Sequence, residues 1–183
     1  MSTSNGSAGG FSGAASVAGV CGWPIRHSRS PRIHNYWLRQ YGIDGVYVPF
    51  AMPPETAKDA IRMLPALGIR GMNVTVPHKE TAYSAMDEVD RLAERLKAVN
   101  TIVVRDGSLY GANTDAFGFL ESLKGAKPDW RANAGPVVVL GAGGAARAIV
   151  AGLQDAGAPE IQKANRTPER AAGICDEVGQ PVI

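Results

Sequence analysis

The sequence predicts an α/β fold in which a domain on a mainly parallel sheet is followed by the first half of a doubly wound sheet. Three observations carry that reading. Strand-like and helix-like stretches alternate from Val17 to Val104, the pattern of parallel strands joined by helical crossovers. A continuous apolar run, Val137-Val138-Val139-Leu140, leads into a glycine-rich turn, as in a strand buried on both faces. Between the two, Lys124 to Pro136 is rich in Gly, Pro, Ala and Asn, which marks a connection between units.

The elements follow in order. Met1 to Ala15 is nearly all Ser, Gly, Ala, Asn and Thr, too poor in apolar area to order itself, and predicts a flexible tail. The first domain is expected over 16–115, with strands at Val17 to Cys21, Val46 to Phe50, Gly71 to Val76 and Val99 to Val104. A helix starts at Pro31, with Ser30 as its N-cap and Ile33, Trp37, Leu38 and Tyr41 along one face. The next helix, Pro54 to about Leu67, buries Ala57, Ile61 and Leu64 and stops at Gly68. A third, Asp87 to Leu96, opens with acidic residues that suit its positive end. The second unit, 116–183, begins with a helix over Ala116 to Leu123. Beyond Leu140 come a helix over Ala145 to Ala156, a strand at Ile161 to Ala164, a helix over Pro168 to Val178, and Pro181-Val182-Ile183. Gln162 and Lys163 are polar for a strand covered on both faces.

Composition narrows the function. With 45% hydrophobic and 20% charged residues, the chain of 183 residues reads as an ordinary globular protein. A net charge of +2, with scattered basic residues, lacks the footprint of a nucleic-acid or anionic-membrane partner. No segment approaches the roughly 18 continuous apolar residues of a membrane helix. The N-terminal stretch resembles neither a secretory signal nor a transit peptide. Cys21 and Cys175 stand far apart, and His27, His34 and His78 have no cysteine or acidic ligand pattern, so no metal site is expected. The expectation is a cytoplasmic protein acting on a small molecule, as a monomer or homodimer.

The chemistry concentrates in a few stretches. In Asn73-Val74-Thr75-Val76-Pro77-His78-Lys79, alternation places Asn73 and Thr75 on one strand face, and Pro77 suits the first turn of a following helix. Lys79 on that exit, beside an amide and a hydroxyl, suits a proton donor or oxyanion partner, against the alternative of a surface lysine after an edge strand. Ser28 and Ser30, two residues apart before a helix, offer hydroxyls for a carboxylate. Asn100 puts an amide where a strand residue would be apolar, so it needs a polar partner. Gly111-Ala112-Asn113-Thr114-Asp115 delivers a carboxylate at a helix start, where a simple N-cap is the competing account.

Gly141-Ala142-Gly143-Gly144-Ala145-Ala146 fits the dinucleotide-binding G-x-G-x-x-G/A fingerprint after a strand and opening a helix. Its glycines allow a tight turn and close approach of a pyrophosphate to the helix N-terminus. About twenty residues on, Asn165-Arg166-Thr167 ends the next strand, where a ribose is read. An arginine there favours the 2′-phosphate of NADP, although Asn165 and Thr167 could also turn the chain and cap the next helix.

In order and approximate spacing, the stretches GWPIRHSRSPRIHN, NVTVPHK, AVNTI, GANTD, GAGGAA and NRT resemble the shikimate dehydrogenase family, over nearly everything from Val17 to Ile183. The resemblance implies a substrate-binding domain, a Rossmann-like NADP-binding domain, and NADPH-dependent reduction of 3-dehydroshikimate to shikimate in aromatic amino acid biosynthesis. It implies that Ser28 and Ser30 hold the substrate carboxylate, that Asn73, Thr75, Asn100 and Asp115 contact ring hydroxyls, and that Lys79 and Asp115 form the catalytic pair. Gly141, Ala142, Gly143, Gly144, Ala145, Asn165, Arg166 and Thr167 would hold NADP. The second half of the nucleotide domain and a final helical segment found in the family are missing, which implies weak NADP binding and poor turnover by this chain alone. An NAD-dependent quinate/shikimate dehydrogenase is the nearest alternative, against which Ser30 and Arg166 lean. A non-catalytic shikimate-binding protein is the other.

Overall fold

The computed structural model describes residues 10–141 and 144–166. Ala142, Gly143, Thr167, most of the expected tail, and the helix and strand expected over Pro168 to Ile183 lie outside the described residues. Within them the strands are β1 (Ser16–Gly22), β2 (Gly45–Ala51), β3 (Ile69–Val74), β4 (Glu88–Val89), β5 (Thr101–Arg105), β6 (Ser108–Ala112), β7 (Val137–Leu140) and β8 (Ile161–Ala164). The helices are α1 (Ser30–Gln40), α2 (Ala57–Arg62), α3 (Lys79–Tyr83), α4 (Arg91–Leu96), α5 (Asp115–Ala126) and α6 (Gly144–Asp155).

The first sheet runs β2-β1-β3-β5-β6-β4. β1 is parallel to β2 and β3, as alternating strands and helices predict; β4, at the start of the stretch expected to be helical from Asp87, is a short strand parallel to β6. β5 and β6 break the pattern: they form an antiparallel hairpin, and β5 runs antiparallel to β3. The turn is Asp106-Gly107, with φ of +48° and +81°, the positive dihedrals that a tight two-residue hairpin needs. β7 and β8 form a separate parallel pair, Val137 opposite Ile161. Ile161 anchors β8 because it is fully buried, while Gln162 is exposed.

Several boundaries differ from expectation. Ser30 lies inside α1, whose N-cap is Arg29, because a proline in the first turn lets the helix start earlier without losing a hydrogen bond. Ser28 supplies the local hydroxyl, accepting from the Ser30 N–H at 3.3 Å. Ile33, Trp37 and Tyr41 are 46%, 48% and 73% exposed, so they do not form the buried face of α1. That helix is held by polar contacts: Asn35 donates to the carbonyls of Pro31 and Tyr47, both at 2.7 Å, and accepts from the Tyr47 N–H at 3.0 Å. Only Leu38 of the expected face packs inward, near Val20, Ile25 and Tyr47.

α2 is shorter than expected, yet Ala57, Ile61 and Leu64 are buried and Gly68 ends the segment at φ +67°. α4 begins only after Asp90, whose carboxylate accepts from the Ala93 N–H at 2.6 Å. Asp87 is drawn elsewhere, to the Leu109 N–H and Arg62, both at 2.8 Å. β3 stops at Val74, so Thr75 and Val76 lie in the loop beyond it, and Pro77 precedes α3 without entering its first turn. β5 starts after Asn100, because the N–H groups of Val99 and Asn100 go to the carbonyls of Lys79 and Ala112. Ser12 donates through its hydroxyl to Asp44, and its N–H donates to the same carboxylate at 3.0 Å, so this part of the expected tail is held.

Cores lie on either side of α4. Ala93 joins Ile61, Leu64, Met72, Val74, Ile102 and Leu109 beneath the first sheet. Leu96 joins Val150, Leu153 and Ile161, with Leu92, Phe119, Leu120 and Trp130 packed around them. Burial of these side chains, each stabilising by roughly 1.5–3 kcal/mol for a Leu, Ile or Val, supplies the main driving force.

Candidate active site

Lys79 is the first residue of α3, set there by a tight descent from β3. Its neighbour His78 is 1% exposed, and the Nε2 of His78 bonds the Met52 carbonyl at 2.8 Å, which pins the turn. Asp115 opens α5 from the far end of β6. Lys79 Nζ and Asp115 Oδ2 meet at 2.5 Å, with the two side chains 21% and 27% exposed. The carboxylate is therefore not an N-cap: Thr114 holds that position, and Asp115 faces across the site.

Asn100 finds the polar partner that its position demands. Its Nδ2 donates to Asp115 Oδ1 at 2.7 Å. Its oxygen accepts from the Thr114 N–H at 3.0 Å, the Thr114 hydroxyl at 3.2 Å and the Thr101 hydroxyl at 2.9 Å. Asn113, 5% exposed, braces Asp115 from behind: it accepts from the Asp115 N–H at 3.1 Å and donates to the Ala98 carbonyl at 2.9 Å. Asp90 accepts in turn from the Asn113 N–H at 3.2 Å.

Asn73, at the end of β3, donates to the Thr101 hydroxyl at 3.3 Å and accepts from the Tyr47 phenol at 2.6 Å. Burial, with a smaller contribution from neighbouring Cys21, raises the Tyr47 pKa above the ordinary phenol value. Burial likewise lowers the pKa of His34, whose ring stacks on Tyr47 at 4.1 Å. The chain leaving β1 toward Ser28 is tied to the segment leaving β3 toward Lys79, because the Trp23 N–H bonds the Val76 carbonyl at 3.1 Å and the Thr75 N–H bonds the Cys21 carbonyl at 2.9 Å. One cavity of about 290 Å³ lies by His34, Tyr47, Asn73 and Thr101. Another of about 250 Å³ lies by Pro77, Lys79, Leu96, Asn113 and Arg147.

Of the substrate-site residues that the sequence singles out, Lys79, Asp115, Asn73 and Asn100 join one hydrogen-bonded group, whereas the side chains of Ser28, Ser30 and Thr75 are not hydrogen-bonded to it. Sequence reasoning did not assign roles to Tyr47, Thr101, Asn113 or Thr114. The last three sit within stretches already marked as polar, which is the signal that could have drawn them in. Tyr47 is a hydroxyl on an otherwise apolar strand, a weaker signal.

The glycine turn begins as expected. Gly141 has φ +112°, a conformation strained for other residues, with open space where a side chain would stand. Its N–H bonds the Ala164 carbonyl at 2.7 Å, so the turn and Asn165-Arg166 share one end of the parallel pair. α6 then leaves the turn and reaches back to the lysine helix, where Arg147 pairs with Glu80 at 2.9 Å. Arg95 pairs with Asp155 at 3.0 Å near the other end of α6. Gly152 of α6 packs so closely on α5 that an added Cβ would lie 2.9 Å from the Cβ of Ala116.

The α/β chain thus combines a lysine–carboxylate pair at the exits of β3 and β6 with a second strand pair from which a glycine turn leads into α6. The family described as shikimate dehydrogenase substrate binding domain matches residues 20–102. Shikimate dehydrogenase (NADP(+)) of Paramagnetospirillum magneticum is 57% identical over 94% of this chain and 63% of its own length. The Rhodospirillum rubrum protein of the same name is also 57% identical, over 91% of this chain and 59% of its own length. Among solved structures, the Aquifex aeolicus shikimate dehydrogenase superposes with a TM-score of 0.87 at 38% identity, covering 94% of this chain and 64% of that one. A Thermus thermophilus shikimate 5-dehydrogenase in complex with NADP(H) and shikimate has a TM-score of 0.83 at 39% identity, covering 92% and 62%. Over nearly all of its length the chain is similar to shikimate dehydrogenases, and residues 20–102 match their substrate-binding domain. It spans about three-fifths of the length of the curated relatives that it matches.

Proposed function

We propose that the protein takes part in the NADP-linked, reversible reduction of 3-dehydroshikimate to shikimate. The observation that carries this reading is the Lys79–Asp115 pair at 2.5 Å, tied to Asn100. In this reading 16–115 form the substrate-binding unit and 116–183 belong to the nucleotide-binding unit, in a cytoplasmic monomer or homodimer.

A ketone that gains hydride develops negative charge on its oxygen. Lys79 stabilises that charge and delivers the proton, an interaction stronger in the transition state than in the ground state. Asp115 aims the ammonium, and the neutral amine left after the transfer regains its proton from solvent beside the carboxylate. Asn73, Thr75 and Asn100 contact ring hydroxyls, while Ser28 and Ser30 hold the carboxylate.

The open, positive-φ turn at Gly141 fits a pyrophosphate, and exposed Arg166 at the same strand end suits a 2′-phosphate. Gly141, Ala142, Gly143, Gly144, Ala145, Asn165, Arg166 and Thr167 would hold NADP. When bound there, the nicotinamide supplies the hydride.

The test is to titrate the purified chain separately with shikimate and NADPH, then assay turnover of wild type and Lys79→Met. Removing a positioned general acid should lower turnover by about 10²–10⁴-fold while shikimate affinity changes much less. Undiminished turnover would remove Lys79 from the chemistry. Shikimate binding without NADPH binding would favour a non-catalytic binding role, and NAD used in preference to NADP would favour the quinate/shikimate alternative.

A further inference from the structure

We propose that Tyr47 and Thr101 are positioning residues that set the hydrogen-bonding polarity of the site, through a one-way relay running Tyr47, Asn73, Thr101, Asn100, Asp115. The meaning of this relay for substrate rests on the function proposed above, whereas its geometry does not.

The polarity can be worked out from the carboxylate end. An ionised Asp115 only accepts. Asn100 must therefore turn its Nδ2 toward Asp115, at 2.7 Å, and its oxygen toward the Thr114 N–H at 3.0 Å. A flipped amide would set oxygen against carboxylate and N–H against N–H. The Asn100 oxygen, fixed as an acceptor, takes the single Thr101 hydroxyl proton at 2.9 Å. Thr101 can then only accept from Asn73, whose Nδ2 stands 3.3 Å away. That leaves the Asn73 oxygen facing Tyr47, which donates at 2.6 Å.

Tyr47 is well suited to close such a chain. It is 5% exposed, its backbone is gripped on both sides by Asn35, and its ring lies flat against His34, only 6° from parallel. Burial favours its protonated form, so the phenol retains the proton it donates.

The relay uses one of the two N–H donors on each amide. Asn73 and Asn100 therefore each keep one N–H for an acceptor oxygen; the Asn100 oxygen, already accepting from Thr101 and twice from Thr114, is closed to a ligand proton, whereas the Asn73 oxygen, accepting only from Tyr47, keeps one lone pair open. A ligand that satisfies this pattern has neighbouring oxygens that accept from the amides and a hydroxyl proton that goes to Asp115. A ring polyol has that chemistry.

The test uses the 183-residue chain with labelled side-chain amides, in wild type, Tyr47→Phe, Thr101→Val and Thr101→Ser, together with shikimate titrations. Tyr47→Phe should shift the Asn100 amide signals, although Tyr47 has no hydrogen bond to Asn100, and should weaken shikimate binding by about tenfold. Thr101→Val, nearly isosteric, should do the same, and Thr101→Ser should recover what valine loses. Asn100 signals unmoved in both Tyr47→Phe and Thr101→Val would overturn the relay. Wild-type protein that fails to bind shikimate would sink the functional reading alone, because the amide signals still decide the relay.

Discussion

Gly152 and Gly118 both lie inside helices, so replacing each with alanine offers a controlled test of how tightly α6 is pressed against the helix that carries Asp115. In a helix interior, alanine is favoured over glycine by roughly 0.5–1 kcal/mol. At Gly118 an added Cβ meets nothing within 4 Å, so Gly118→Ala should realise that gain. For a chain of this size it should raise Tm by about 2–4 °C per kcal/mol. At Gly152 the same Cβ would lie 2.9 Å from the Cβ of Ala116, against an ordinary separation of 3.4–4 Å, so the helices must part. Overpacking of this kind costs about 1–3 kcal/mol, which outweighs or cancels the propensity gain. Because propensity is common to both variants, their difference of about 1–3 kcal/mol isolates the contact. Urea denaturation of the two proteins at one pH, with equal m-values, measures it. Equal stabilisation by both substitutions would refute the close crossing of α5 and α6.

Two further expectations concern the first unit. Asp90→Ala removes the α4 cap at 2.6 Å and the bond to the Asn113 N–H, and should destabilise by about 1–2 kcal/mol in chemical denaturation; an unchanged midpoint would contradict the cap. Burial raises the Cys21 thiol from an ordinary 9.0 to about 12, so the folded state favours the protonated form. Its contribution is therefore whole below pH 9.0 and declines toward about 12, by roughly 1.4 kcal/mol per pH unit. The stability difference between wild type and Cys21→Ala should narrow or reverse over that interval; a difference independent of pH would refute the assignment.

How far the sequence foretold this structure differs from element to element. Gly68 and Gly141 were legible as turns because positive φ is a local property, and both adopt it. Lys79 and Asp115 were legible because each opens a helix after a short exit from a strand, and the fold then brings the two together. The hairpin at Asp106-Gly107 went unrecognised, although that dipeptide is itself a hairpin signal, because β6 had been absorbed into a motif read for its chemistry. The inward face of α1 was misread for a different reason. Apolar periodicity assigns Ile33, Trp37 and Tyr41 to the core, whereas Asn35 and His34 clasp Tyr47 and turn the apolar residues outward. The direction of the Asn73 and Asn100 amides could not be read at all, because it depends on partners from separate strands and loops.

α4 is a helix of only six residues, yet Ala93 faces one core while Leu92 and Leu96 face another. Each residue advances a helix by about 100°. A single insertion or deletion between Arg91 and Leu96 would therefore rotate every later side chain from one interior toward the other, placing leucines where an alanine fits. Surface loops can absorb changes in length; this short helix acts instead as a ruler, tying the spacing of the chain to the separate interiors it serves.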